Sequence, residues 1–102
     1  MVVKKTIIYW RDIPSQVVVQ KGRKRVKALL SQRFQDAIDR AAMRAGKGSS
    51  TAYLEEWRRD AEKFQSSDAM QDIADRAASE FEAEYTDDYL LQLIRNHGSA
   101  SD

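Results

Sequence analysis

The stretch Lys4-Lys5-Thr6-Ile7-Ile8-Tyr9-Trp10-Arg11-Asp12-Ile13-Pro14-Ser15-Gln16-Val17-Val18-Val19-Gln20 decides the fold class. Ile7 to Trp10 is β-branched or aromatic throughout, a composition that suits a pleated surface. A strand over Lys4–Trp10 places Thr6, Ile8 and Trp10 on one face and Ile7, Tyr9 and Arg11 on the other. Asp12-Ile13-Pro14-Ser15 breaks the run, and Pro14, the only proline, pushes Ile13 to an extended conformation. Val17-Val18-Val19 marks a second strand over Gln16–Gln20. So short a connection leaves an antiparallel hairpin as the natural pairing. Both strands carry apolar groups on both faces, which predicts helices over one side of the sheet and partial cover on the other.

Beyond the hairpin, Lys21-Gly22-Arg23-Lys24-Arg25-Val26-Lys27 is the most basic stretch, and Gly22 allows a sharp turn in it. Ser31 is a candidate N-cap for a helix over about Gln32–Ala45, in which Phe34, Ile38, Ala41, Ala42 and Ala45 recur at helical spacing. Gly46 suits a left-handed terminator. Residues 51–65 fit two periods. Tyr53, Trp57, Ala61 and Phe64 follow a helix, whereas Tyr53, Glu55, Trp57 and Arg59 alternate as in a strand. A third strand makes a hairpin viable, which favours a strand near Ala52–Arg58. Two helices complete the chain. One runs from Asp68 or Ala69 to Tyr85, with Met70, Ile73, Ala74, Ala77, Phe81 and Tyr85 inward and an acidic outer face. The other spans Asp87–Asn96, capped by Thr86, burying Leu90, Leu91 and Ile94 and ending at Gly98. The expectation is therefore one α+β domain over residues 1–98: a small antiparallel sheet, hairpin plus third strand, with about three helices packed mainly on one face and a frayed tail at 99–102.

The 102 residues carry a net charge of only +1, but the charge is divided along the chain. Residues 1–48 hold twelve lysines and arginines against three acids, and residues 49–102 hold five against thirteen, so +9 is followed by −8. Either the two parts attract each other within the fold, or the basic part faces an anionic partner.

Catalytic inventories are thin. Without cysteine, disulfides and thiolate metal sites are excluded. The single histidine, His97, falls at the end of the last helix, where a cation complements the helix dipole. No nucleophile elbow, dinucleotide fingerprint, P-loop or calcium loop occurs. The longest apolar run, Ile7–Trp10, is far shorter than the core of an export signal or a membrane span, so a cytoplasmic protein with no membrane contact is expected. The reading is a non-enzymatic binding protein with no cofactor.

Two places can carry binding. Gly22 lets backbone amides approach an anion while Lys21, Arg23, Lys24, Arg25 and Lys27 supply charge, suited to a phosphate, a polyglutamate tail or an acidic protein surface. The alternative is a basic turn that neutralises the chain's own acids. Trp10-Arg11 and Trp57-Arg58-Arg59 each set an aromatic beside arginine, which suits interface anchors or, alternatively, core tryptophans flanked by solvated guanidiniums. A nucleic-acid-binding module using residues 21–27 is the second functional reading.

Ile8-Tyr9-Trp10-Arg11-Asp12-Ile13-Pro14, Val17–Arg25, Arg33-Phe34, Ala37-Ile38-Asp39, Ala41-Ala42-Met43-Arg44 and Ala52-Tyr53-Leu54-Glu55-Glu56-Trp57-Arg58-Arg59 resemble a family of short, mainly alphaproteobacterial proteins labelled "virulence factor". The resemblance covers about the first 60 residues. The family's pattern has a proline soon after the second tryptophan, which supports a strand there; this chain has none. The family name is a label and not a mechanism. The resemblance implies encoding beside enzymes of folate- and corrinoid-dependent methyl transfer, and hence a small subunit or adaptor in one-carbon metabolism with a methyltransferase or folate enzyme subunit as partner.

Overall fold

The hairpin is the centre of a four-stranded antiparallel sheet, and the computed structural model describes residues 1–100 of the chain. The strands are β1 (Val2–Trp10), β2 (Ile13–Lys21), β3 (Lys24–Leu29) and β4 (Trp57–Gln65), in the order β3-β2-β1-β4. Four helices join them: α1 (Gln32–Arg44), α2 (Ser50–Glu55), α3 (Met70–Glu84) and α4 (Asp87–Arg95). The α+β class, the hairpin and the three long helices agree with the sequence reading.

β1 and β2 pair from Lys4↔Gln20 to Trp10↔Ile13, with a register shift between Ile8 and Tyr9 that leaves Ser15 without a partner in β1. A bulge of this kind admits a proline inside a central strand. Pro14 sits at it, beyond the last pair that β3 makes, Gln16↔Leu29.

Two corrections concern strands. The basic stretch is not a loop: Lys21 and Lys24 close a two-residue turn over Gly22-Arg23, and β3 follows at once. Gly22 has φ +62°, the positive angle that a Gly-X hairpin turn requires at its first central residue. Residues 51–65 are also not a strand at Ala52–Arg58. They form the short helix α2, whose N-cap Ser49 accepts from the Ala52 amide, and then β4. β4 has little apolar alternation because it lies at an edge. It is held by nine backbone pairings to β1, from Val2↔Gln65 to Trp10↔Trp57, rather than by burial.

α3 covers one sheet face. Val3 and Ile7 of β1 and Val17 and Val19 of β2 pack against Ile73, Ala74 and Ala77, with Val26, Ala28 and Phe64 at the margin. A second cluster gathers at the hairpin end around Trp10 and Ile13. In α1, Phe34, Ala37, Ile38, Ala41 and Ala42 form the i, i+3, i+4, i+7, i+8 stripe of a core-facing helix. α4 adds Leu90, Leu93 and Ile94; Leu93 takes the buried place expected for Leu91. Ala78 and Phe81 touch both clusters, so the core is continuous.

Chain reversals are anchored by specific groups. Thr86 caps α4 by accepting from the Tyr89 amide at 3.2 Å. Ser31 precedes α1 but makes no cap bond. Its amide and hydroxyl instead donate to Glu82 at 2.7 and 2.9 Å, tying the start of α1 to α3. At the C-terminal end Ser99 bonds with Asn96, and the Ala100 amide donates to Asp12 Oδ2 at 2.6 Å. Ser101 and Asp102 lie outside the described residues.

Gly98 has φ +90°, and a Cβ there would lie 2.9 Å from Trp10 Cζ3; Gly46 has φ +74° with nothing within 4 Å of such a Cβ. Gly46→Ala therefore meets only the backbone penalty, about 1–2 kcal/mol. Gly98→Ala adds a clash with a buried indole and should cost at least about 1 kcal/mol more. Urea unfolding of the two variants side by side measures that difference.

Candidate partner-binding surface

The residues singled out by sequence fall into two groups that do opposite work. Trp10, Arg11, Trp57 and Arg58 are largely consumed by one another and by neighbouring backbone. Trp10 is 0% exposed, so it is a core residue and not an interface anchor. Its indole Nε1 donates to the Tyr53 carbonyl at 2.9 Å, and its ring stacks on Tyr53 at 5.9 Å. Trp57 pairs with Trp10 across the strands and meets Tyr53 edge-on.

Arg11 occupies the hairpin turn with φ +54°, a conformation that costs a non-glycine residue about 1–2 kcal/mol. Its guanidinium donates to the His97 carbonyl at 2.9 Å and to Glu56 Oε1 at 3.0 Å, while its amide donates to the Glu56 carbonyl. Charge-assisted bonds of this kind contribute on the order of 1 kcal/mol or more each, enough to offset the strain. Arg58 Nε donates to the Arg11 carbonyl at 2.7 Å, its Nη2 reaches Asp12 Oδ1 at 3.0 Å, and its guanidinium lies 4.2 Å from the Tyr9 ring centroid. The strings around Trp10 and Trp57 thus build one clasp that locks α2, the β1–β2 turn and the C-terminal residues together. His97 contributes through its carbonyl and a left-handed backbone, φ +61°.

The second group lies on the sheet face opposite α3. Strand register places Lys4, Thr6 and Ile8 of β1 beside Gln20, Val18 and Gln16 of β2. Arg25, Lys27 and Leu29 of β3 and Arg59, Ala61 and Lys63 of β4 continue that face, with Val2 and Gln65 at one end and the covered Trp10 and Trp57 at the other. It carries five cations and no carboxylate. Lys4, Arg25, Lys27, Arg59 and Lys63 are all exposed, and among the described residues none of them has an ion-pair partner. Between the cations, Ile8, Gln16 and Val18 form the floor of a groove of about 460 Å³, rimmed by Arg25, Lys27 and Arg59.

The basic stretch is therefore split by β3. Arg25 and Lys27 point to the open face, Lys24 and half-buried Lys21 take the opposite parity, and Arg23 sits in the turn. Gly22 serves that turn, and the cations flank a shallow groove on the sheet rather than a cradle of loop amides. Sequence reasoning missed Lys4 and Lys63, as well as the Ile8 and Val18 floor. The signal was present in β4, where Arg59 and Lys63 hold odd positions and Asp60 and Glu62 even ones.

The first expectation for the divided charge, attraction within the fold, holds for part of the basic residues. Arg33 ties into α3 and its C-terminal end, donating to the Glu82 and Tyr85 carbonyls, Glu82 Oε1 and Asp87 Oδ1. Lys5 pairs with Glu62, and Arg11 and Lys47 with Glu56. Asp72, Asp75, Glu80 and Glu84 stand exposed on α3, across the sheet from the free cations.

No helix among the described residues is long and apolar enough to cross a membrane. The model of a family described as "Virulence factor" matches residues 8–94. Neither the curated proteins nor the solved structures contain a match to the chain.

Two carboxylates link stability to pH. The hydrogen bond from Arg11, with the charges of Arg11 and Lys47, holds Glu56 below its usual 4.5. At Glu82 burial pushes upward, but hydrogen bonds from Ser31 and Arg33 outweigh it and the carboxyl ends below 4.5. Folded values below the unfolded ones mean that this stabilisation is complete above the ordinary carboxylate range and is lost as pH falls through the folded values. The Glu56→Gln/Glu82→Gln variant should be less stable at neutral pH and lose less on acidification. Urea midpoints from about pH 7 to about pH 3 test this; parallel acid limbs would contradict it.

Proposed function

The chain belongs to the virulence factor family, and from the geometry we propose that it is a non-enzymatic accessory protein that docks an anionic surface of a partner protein on its open sheet face. One observation carries the reading: five exposed cations share a face that holds no carboxylate and has no ion pair among the described residues. Charges already paired inside a fold have little left to offer a partner, whereas these retain their full field. Their separation from the acidic outer side of α3 gives the molecule a positive and a negative side, an arrangement that orients an approaching charged partner.

Lys21, Arg23 and Lys24 extend the positive field around the end of the sheet, while Arg25, Lys27 and Arg59 make the contacts. Trp10, Arg11, Trp57 and Arg58 hold the platform. The partner implied by the family resemblance is a folate- or corrinoid-dependent methyl-transfer enzyme. The competing ligand, nucleic acid, would meet the same cations, but Trp57, the β4 ring that shares their parity, is half-buried and turned edge-on against Tyr53 rather than free for bases to stack on.

The test is binding of fluorescent poly-glutamate and of a single-stranded oligonucleotide to the wild type and to Arg25→Glu/Lys27→Glu/Arg59→Glu. The wild type should bind poly-glutamate with an affinity that falls as salt rises, and the variant should lose about tenfold or more and most of the salt dependence. Binding unchanged by the triple reversal would remove the open face from the mechanism. A clear preference for the oligonucleotide would move the protein to the nucleic-acid class.

A further inference from the structure

The same face has a shape as well as a charge. Its cations are not spread evenly. Arg25 and Lys27 stand on one edge strand, and Arg59 and Lys63 on the other. Of the two strands between, only β1 adds a charge, Lys4; the remainder is Val2, Thr6, Ile8, Gln16, Val18 and Gln20, up to the buried Trp10. Val18 is 6% exposed and Ile8 half-buried, so the centre is a shallow apolar floor, with Leu29, 67% exposed, continuing it at one corner.

The rims are three strand spacings apart, about 14 Å at about 4.8 Å per spacing. An α-helix with its side chains is about 10–12 Å across. Along the strands, Arg59 to Lys63 spans four residues, about 13 Å, or between two and three helical turns. We infer that this trough receives one α-helix of the partner protein, lying along the strands, whose apolar stripe meets Ile8 and Val18 and whose acidic flanks meet the two cationic rims.

The inference rests on the docking reading and specifies its occupant. The other occupants fit the chemistry less well. An added β-strand would have to join β3 or β4, and charged edge strands resist such pairing. A second copy of this chain offers α3 as its acidic helix, but the α3 apolar stripe, Ile73, Ala74 and Ala77, is already buried in its own core. The outer side of α3 carries acids without a stripe. Single-stranded nucleic acid has charge to match the rims but nothing to cover the aliphatic floor.

The probe is a synthetic peptide of about 18 residues with leucines at helical i, i+3, i+4, i+7 spacing and glutamates on both flanks. A scrambled peptide of the same composition, poly-glutamate and a single-stranded oligonucleotide serve as comparators, all followed by fluorescence anisotropy. The striped peptide should bind about tenfold or more tighter than its scramble. Ile8→Thr, shown to be folded by its thermal transition, should erase that preference and leave poly-glutamate binding unchanged; Arg25→Glu/Arg59→Glu should weaken both. Equal binding of striped and scrambled peptides would overturn the helix while leaving anionic docking in place. No binding of any anionic protein-like probe would overturn both. Tightest binding by the oligonucleotide would overturn the helix and hand the face to nucleic acid.

Discussion

The buried indole of Trp10 is the contact on which the rest of the structure depends. Its ring touches the α1 stripe, stacks on Tyr53 of α2, pairs across the strands with Trp57 and closes against Gly98. Its one polar atom is satisfied by the Tyr53 carbonyl. Truncating a core tryptophan costs about 3–5 kcal/mol, a large share of the about 5–15 kcal/mol that holds a domain of this size together. Removing the ring would therefore loosen the turn, the α2–β4 connection and the C-terminal residues at once.

The clasp around Trp10 also determines which surface stays bare. α2 ends at the clasp, and Trp57 starts β4 there, so β4 is delivered to the free edge of β1 in a single antiparallel register. α3 then returns over the face that holds Val3, Ile7, Val17 and Val19. The other face is covered at its hairpin end, where Trp10 and Trp57 meet α1, α2 and α4, and beyond that end it keeps only its own side chains for cover. Aliphatic stems of arginine and lysine can shield such a face while their heads stay in water. This accounts for Val18, which is nearly inaccessible although no helix lies over it. The same layering turns a charge division in sequence into one in space, with free cations on the bare face and acids on the outside of α3.

Much of this organisation is legible in the sequence where hydrophobic period and capping chemistry coincide. α1, α3 and α4 are readable because each has an apolar stripe with a 3.6-residue period and a recognisable stop or start, Gly46 or Thr86. β1 and β2 are readable from β-branched runs. β3 and β4 are harder because hydrophobic alternation records burial, and edge strands bury little. In β3 the alternation is confined to Val26 and Ala28 between charged neighbours; in β4 only Trp57 and Phe64 are half-buried. A Gly-X turn between Lys21 and Lys24 was the local cue for β3, and the segregation of acids and bases by parity was the cue for β4. Long-range register, which assembles Lys4, Arg25, Lys27, Arg59 and Lys63 on one face, has no local signature at all.

Family membership and function therefore attach to different residues in this molecule. The most specific strings of the family resemblance, Tyr9-Trp10-Arg11-Asp12 and Tyr53 to Arg58, meet in the clasp. There Tyr53 holds Trp10, Glu56 holds Arg11, and Asp12 and Tyr9 hold Arg58. Such residues specify how the chain closes, and they fix its fold whatever it binds. The open face follows other rules. Its cations need only lie on the correct parity of β3 and β4 and lack an acid beside them, which any pairing of lysine and arginine can meet. Lys4 even lies outside the residues matched by the family model. A ligand sought from the aromatic–arginine strings would be sought at the most occupied part of the molecule; the unpaired charges extend along the strands from it, as far as Lys4 and Lys63 six residues on, about 20 Å away, on the sheet face opposite α3.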